Sequence, residues 1–512
     1  MSTRDSAQEL LPIADLALPI EAQPPKARRI YCNRDMRLDQ VDAIGFDMDY
    51  TLAIYRQEAI DQLSVEATAS RLVARGYPSS LLDMPYATRF PIRGLLVDTK
   101  LGNIIKTDRY RYAKTAYHGT QELSSEERKK LYQGKRIRPG MQRFYSVDTL
   151  YALSEVTVFA AVVDALGKNK ARGSLDYPKL FQDVRDSIDE AHRDGSLKSI
   201  ISSELPRYIE RDAELPATLH KLRSAGKKIF LLTNSEPPYT EKVMRYLLED
   251  GHERSEYKSW RGYFDVIVSE ARKPRFFTEQ VPFTEAPEPS NGHANGNGHT
   301  NGKSKAAPDS RERMYLGGNH VELERMLGVA SDRVLYVGDH IFGDVLRAKK
   351  ESSWRTLMII QEMTDELEAI ERNAPEIQRL HRLEVRHYTL VDGLRDRQNL
   401  LKLLGKRLED PALLGEERVE VDAARVRLKH AIDKVRSQVK AVDDEHRELE
   451  RQLERSYHPY WGSPFKAESE LSSFGEQVER YACLYTDRVT NLLGYSGSHF
   501  FRGPRPRMAH EQ

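Results

Sequence analysis

The chain has 512 residues, too many for one small module, so two or more domains or large insertions are expected. Its 79 Lys and Arg against 78 Asp and Glu leave a net charge of +1, which argues against a field-driven partner of nucleic acid polymer or membrane. With 39% hydrophobic and 31% charged residues the composition is globular, and Cys32 and Cys483 are too few for a disulfide framework or a four-cysteine zinc site. A reducing, cytoplasmic setting is therefore expected.

In chain order, residues 1–28 mix Pro, Ala and charge without periodicity and read as a flexible arm. Its LLPIADLALPI segment is interrupted by Pro12, Asp15 and Pro19, so no secretory signal is expected. Val41 to Phe46 is a short apolar run opening into Asp47-Met48-Asp49, the pattern of a buried strand ending in a polar loop. Residues 56–215 are too long for a simple crossover, and their apolar helical segments predict an inserted, mostly helical cap between core segments 29–55 and 216–365. Within it, the apolar run Val156–Val163 is bounded by Glu155 and Asp164 and is too short to span a bilayer.

A helix over Pro216–Ala225 precedes a strand over Lys228–Leu232 and the loop Thr233-Asn234-Ser235. A further strand over Phe264–Val268 precedes Lys273, and one over Val334–Val337 runs into Gly338-Asp339-His340, with a helix from Gly343 to Ser352 after it. Strands alternating with helices predict an α/β fold with a parallel sheet whose ligands sit beyond the strands' carboxyl ends. Residues 280–310 are rich in Asn, Gly, Pro and Ser and read as a disordered insertion, with His293 and His299 as solvated loop residues. Residues 366–505 read as a C-terminal helical region before a 506–512 tail. There Val421, Leu428, Val435, Val442 and Leu449 recur as heptads, with Ile432, Val439 and Leu453 between. This predicts a long amphipathic helix packed on the body or on an antiparallel neighbour near Leu400–Leu408, in preference to an oligomer contact.

Asp47 and Asp49 place two carboxylates at the mouth of the sheet, where a cation or a proton must relieve their repulsion. Asp339 and Asp344 add a second acidic loop, and an all-oxygen set favours Mg2+. With charge drained from a phosphoryl group, the Asp47 carboxylate can attack phosphorus. Thr233 and the N–H groups of Asn234 and Ser235 offer a phosphate cradle, and Lys273 offers the positive charge. Any one of these is an ordinary turn or cap; all of them in order, each after an apolar strand, form a candidate site.

On these residues the chain resembles the haloacid dehalogenase superfamily. FDMDYT at 46–51, LLTNS at 231–235, Lys273-Pro274 and GDHIFGD at 338–344 match its four motifs. More narrowly it is similar to the cytosolic purine 5′-nucleotidases specific for IMP and GMP. That similarity rests on RGLLVDTKLGNIIK, FYSVDTLYAL, LFQDVRDSIDEAHRDGSLK, YFDVIVSEARKPRFF and RYACLYTDRVTNLL. The resemblance implies a Rossmann-like core with a cap, and Mg2+-dependent hydrolysis of nucleoside 5′-monophosphates, with phosphotransfer to a nucleoside as a branch. It implies Asp47 as nucleophile and metal ligand, and Asp49 as general acid/base that gives its backbone carbonyl to the metal. Asp339 becomes a further ligand, Asp344 a support of the metal loop, and Thr233, Asn234, Ser235 and Lys273 the phosphate site. A homo-oligomer, dimer or tetramer, is implied as well.

In the cap, Arg185, Asp189, His192 and Lys198 match nucleotide-contacting positions. By spacing alone the first three share one helical face, which would otherwise read as a solvated ion-pair surface. Where the family's His-Gly-Phe-Asn segment aligns, this chain has His118-Gly119-Thr120-Gln121. Thr120 cannot stack on a base, while Gln121 is expected to hydrogen-bond a base edge. The alternatives are a phosphatase of another small metabolite and a scaffold that has kept the fold.

Overall fold

The computed structural model describes residues 24–137, 142–167, 175–251, 257–287, 313–505 and 508–511. The arm up to residue 23, and the 288–310 part of the expected insertion with both of its histidines, lie outside the described residues.

Ala43–Phe46 is buried at all four positions, as a strand covered on both faces must be. It pairs in parallel with Lys228–Leu232 on one side and Val334–Gly338 on the other. Phe46 lies level with Leu231 and Val337, so Asp47, Thr233 and Asp339 all emerge at the same edge. Gly45 is required here, because a Cβ would fall 2.1 Å from the Phe230 ring of the neighbouring strand. These three strands centre a nine-stranded sheet. Arg355–Ile359 and Leu484–Thr486 continue it in parallel on one side, Val266–Ser269 and Met314–Gly317 on the other, and Tyr31–Cys32 and Phe283–Glu285 close its edges antiparallel.

Two sequence assignments change. Leu484–Thr486, within the region read as helical, is a strand of the core sheet, and Phe283–Glu285, within the segment read as disordered, is an edge strand. Both are three residues long, too short to carry a periodicity.

The chain leaves the core at Ile54–Tyr55 and returns at Ile209–Glu210, and these two segments pair as an antiparallel ribbon. Between them, helices Gln57–Ala74, Leu150–Gly167, Tyr177–Arg193 and Ser196–Ser203 pack together. The cap also contains a five-stranded antiparallel sheet built from Leu95–Asp98, Asn103–Thr107, Ala113–His118, Gln121–Glu122 and Phe144–Val147. Leu95–Asp98 and Asn103–Thr107 are buried at every position, so they show no alternation that would mark them as strands. Leu150–Gly167 is apolar and long enough by composition to cross a membrane, and 72% of it is buried inside the fold.

The heptad series belongs to Gly415–Tyr457, which runs back along Ala374–Leu408. Leu383, Val442, Leu449 and Leu453 form the seam, with Ile377, Leu380 and Leu390 against it. The heptads thus serve a hairpin whose partner helix is far longer than Leu400–Leu408.

Candidate active site

After Phe46 the chain coils sharply. The N–H groups of Thr51, Leu52 and Ala53 all donate to the Met48 carbonyl at 3.3, 3.0 and 2.9 Å, and Tyr50 takes φ 57°. This turn sends Asp47 and Asp49 to different partners. Asp47 Oδ1 accepts from the Met48 N–H at 2.8 Å and pairs with Lys273 Nζ at 2.9 Å. Asp49 instead accepts from the Tyr55 hydroxyl at 2.6 Å and from Ser235 Oγ at 2.7 Å. One carboxylate is tied to a cation and the other to two hydroxyls, a division suited to distinct roles.

Lys273 is set by Asn234, whose side chain accepts from the Lys273 N–H at 2.6 Å and donates to its carbonyl at 3.0 Å. The Lys273–Pro274 peptide is cis. The ammonium also meets Asp344 Oδ1 and the Tyr336 hydroxyl, each at 2.8 Å. Burial opposes its charge, but Asp344 and Asp47 outweigh burial and hold Lys273 protonated above its ordinary value. Asn234 and Ser235 reach the cavity wall; Thr233 does not line it. Thr233 is fully buried, and its hydroxyl accepts from the Ser235 N–H at 3.1 Å.

Carboxylate oxygens of Asp47, Asp339 and Asp344 all lie within 4.8 Å of one another, and all three residues are buried. Burial raises Asp339 to about 7 against the pull of Arg93, and raises Asp47 well above the usual carboxylate range against the pull of Lys273. Three crowded oxygen donors with a single ammonium fit a hard divalent cation, which would relieve both the burial cost and the mutual repulsion. The Asp49 side chain is not in this trio.

Arg93, from the cap, is a site residue that sequence reasoning missed. Its side chain is fully buried, forms a fork with Glu362 at 2.7 and 2.6 Å, and donates at 2.8 Å to the Asp339 carbonyl. It therefore clamps the Asp339 loop from above. RGLLVDTK marked its segment, but no spacing rule linked that segment to the third acidic loop.

Asp47, Asp49, Asn234, Ser235, Lys273, Asp339 and Asp344 form one end of a cavity of about 370 Å³. The other end is built by the cap from Tyr151, Ile188, His192, Leu197, Lys198 and Ile201, with Tyr55 and Tyr239 between. The Tyr151 and His192 rings lie 4.4 Å apart at 45°. Burial, with Lys198 adding to it, lowers His192 to about 4, so the imidazole is neutral near pH 7. Lys198 sits 5.5 Å from the Tyr239 ring centre and 3.8 Å from Glu236.

The remaining cap assignments separate from the cavity. Arg185 lies two helical turns, roughly 10 Å, before His192; it covers the Tyr145 ring at 4.6 Å and pairs with Glu155 at 3.7 Å. Asp189 is exposed on the same helix. Gln121 is exposed on the edge strand Gln121–Glu122, paired with His118, and does not line the cavity. Thr120 is tied to Asp164 by its N–H and its hydroxyl, the latter at 2.6 Å, so this hairpin anchors the sheet to a helix. The stacking surface that Thr120 cannot supply comes from Tyr151, inside FYSVDTLYAL.

Residues 30–512 match the 5′-nucleotidase family. A 5′-nucleotidase domain-containing protein of Dictyostelium discoideum is 27% identical over 475 residues, spanning 91% of this chain and 72% of that protein. Among solved structures, a predicted phosphoglycolate phosphatase from Haemophilus somnus aligns over 62% of this chain and 85% of its own, at 12% identity and a TM-score of 0.27. CbbY from Rhodobacter sphaeroides in complex with phosphate aligns over 62% and 86%, at 14% identity and a TM-score of 0.21.

Proposed function

The chain belongs to the 5′-nucleotidase family and is a phosphoric monoester hydrolase; on that premise we propose that it is a Mg2+-dependent enzyme releasing phosphate from purine nucleoside 5′-monophosphates, IMP and GMP. One observation carries the proposal: a single cavity joins Asp47, Asp49 and Lys273 to the Tyr151–His192 ring pair. A phosphomonoester group at one end and a flat heterocycle at the other fit it.

The Met48 N–H and the Lys273 ammonium both meet Asp47 at Oδ1, which leaves Oδ2 to attack phosphorus. The bond from phosphorus to the nucleoside O5′ breaks, and Asp49, entering as the acid, gives its proton to that oxygen. The departing nucleoside leaves an aspartyl-phosphate on Asp47. Asp49, now a carboxylate, takes a proton from water as the water oxygen attacks phosphorus, and phosphate leaves with Asp47 regenerated. If the hydroxyl of a second nucleoside takes the water's place, the phosphoryl group is transferred. The ammonium of Lys273 and the N–H of Asn234 hold the phosphoryl oxygens, while the Ser235 hydroxyl holds the Asp49 carboxylate and Thr233 fixes the Ser235 N–H. Asp47, Asp339, Asp344 and the Asp49 carbonyl would hold Mg2+, whose charge lowers the repulsion between the phosphoryl oxygens and the attacking carboxylate.

The test is phosphate release from IMP, GMP, AMP, UMP, CMP and sugar phosphates, with Mg2+ or with chelator. Mg2+-dependent release strongest for IMP and GMP is expected. Activity on sugar phosphates alone would overturn the substrate, and undiminished activity in chelator would overturn the metal.

A further inference from the structure

In the reaction proposed above Asp49 carries the proton in both steps, and its carboxylate is held from two sides. The Ser235 hydroxyl donates to Oδ2 at 2.7 Å, and the Tyr55 hydroxyl donates to Oδ1 at 2.6 Å. A carboxylate offers about four lone pairs, two on each oxygen. A donor on each oxygen fixes the plane of the group and leaves a lone pair on each for the proton that passes to O5′ or comes from water.

Tyr55 is placed as firmly as the group it holds. It is 8% exposed, its backbone pairs with Ile209 where the chain returns to the core, and its ring lies 4.7 Å from that of Tyr50. Its oxygen also lies 2.8 Å from the Tyr239 hydroxyl. Tyr55 has a single hydroxyl hydrogen, and the carboxylate takes it, so Tyr239 is the donor in this second contact. Tyr239 stands in the first turn of helix Pro237–Leu248, which begins just after Ser235. The two hydroxyls on Asp49 are thus tied to one stretch of chain, Ser235 directly and Tyr55 through Tyr239. Asp49, Tyr55 and Tyr239 all line the active-site cavity.

We propose that Tyr55 is a positioning residue that fixes Asp49 for proton transfer in both steps, with Tyr239 supporting it, a role that rests on the aspartyl-phosphate reading and not on the purine assignment. The two steps make different demands on Asp49. When O5′ leaves, the electron pair of the P–O5′ bond must be met by the proton of Asp49. When 4-nitrophenolate leaves, its ring carries the electron pair and no proton is needed. The second step is common to both substrates: Asp49 takes a proton from water, the water oxygen bonds to phosphorus and the bond from phosphorus to Asp47 breaks. Loss of the Tyr55 hydroxyl therefore slows both steps with IMP and only the second with 4-nitrophenyl phosphate.

The experiment follows first and later turnovers of the full chain with Mg2+, for Tyr55→Phe and Tyr239→Phe beside the unmodified protein, with circular dichroism to confirm the fold. Tyr55→Phe is expected to lower kcat for IMP about thirtyfold, part of the roughly 10²–10⁴-fold that a positioned acid–base group contributes, with KM changed by less than about twofold. On 4-nitrophenyl phosphate its first turnover should stay within about twofold of the unmodified chain while later turnovers slow about tenfold or more, giving a burst of about one nitrophenolate per chain. Tyr239→Phe should lower kcat for IMP about threefold, since it removes a support one contact further out. A first turnover on 4-nitrophenyl phosphate slowed as much as the later ones would mean a general disturbance of the site and overturn the role, as would an unchanged kcat for IMP. An unmodified chain that turns over 4-nitrophenyl phosphate but not IMP overturns the purine assignment, and the burst then decides the role of Tyr55. A chain silent on both substrates overturns the mechanism and this role together.

Discussion

The two ends of the active-site cavity are built on opposite principles. At the core end Asp47, Asp49, Lys273 and Asp344 are each tied by short polar contacts, and all lie beyond the carboxyl ends of strands of one sheet. At the cap end the contacts are ring on ring and aliphatic, through Tyr151, His192, Ile188, Leu197 and Ile201, on helices inserted where the chain leaves and re-enters the core at one two-stranded ribbon. Chemistry that depends on charge needs groups placed before the substrate arrives. Recognition of a flat ring needs only area and shape, which the helices of an inserted cap can supply.

The strongest way to break this contrast is at the core end. Asp47→Asn should lower kcat by about four orders of magnitude or more while the chain stays folded, read by phosphate release beside circular dichroism. Retained turnover would remove the nucleophile from the mechanism. At the cap end the effect should be smaller and of another kind. Tyr151→Ala should raise KM for IMP about tenfold with little change in kcat, since a base–aromatic stack contributes about 1–3 kcal/mol, and Tyr151→Phe should restore it. A fall in kcat alone would mean that the cap end shapes the reaction and not only recognition.

The imidazole of that pair gives a pH test. Its folded value of about 4 lies below the ordinary 6.5, so the unfolded chain takes up this proton first as pH falls. The stability it contributes is complete above about 6.5 and is lost toward 4. His458, also held at about 4 by burial, acts in the same direction. Thermal melts from pH 7 to 4 should therefore show falling Tm, and His192→Gln should flatten part of that fall. The smallest effect belongs to Gln121→Ala, which should leave KM and Tm unchanged within about 0.5 kcal/mol because the side chain is exposed and outside the cavity.

For the catalytic end, linear order and local pattern sufficed. Asp47, Thr233, Lys273 and Asp339 each come after an apolar run, and parallel strands in register bring the loops at their carboxyl ends to one edge. The heptad helix was legible for the same reason, its period being local to the chain. Contacts between distant segments, by contrast, were decided by packing alone. Arg93 reaches the Asp339 carbonyl across 246 positions, and Leu484–Thr486 joins a core sheet begun at residue 31. Helical spacing put Arg185 and His192 on one face but could not say that the cavity takes in His192 and leaves out Arg185, nor that Tyr151 supplies the ring that Thr120 lacks. A period fixes which way a side chain points from its own element; which element stands opposite depends on how all of them pack.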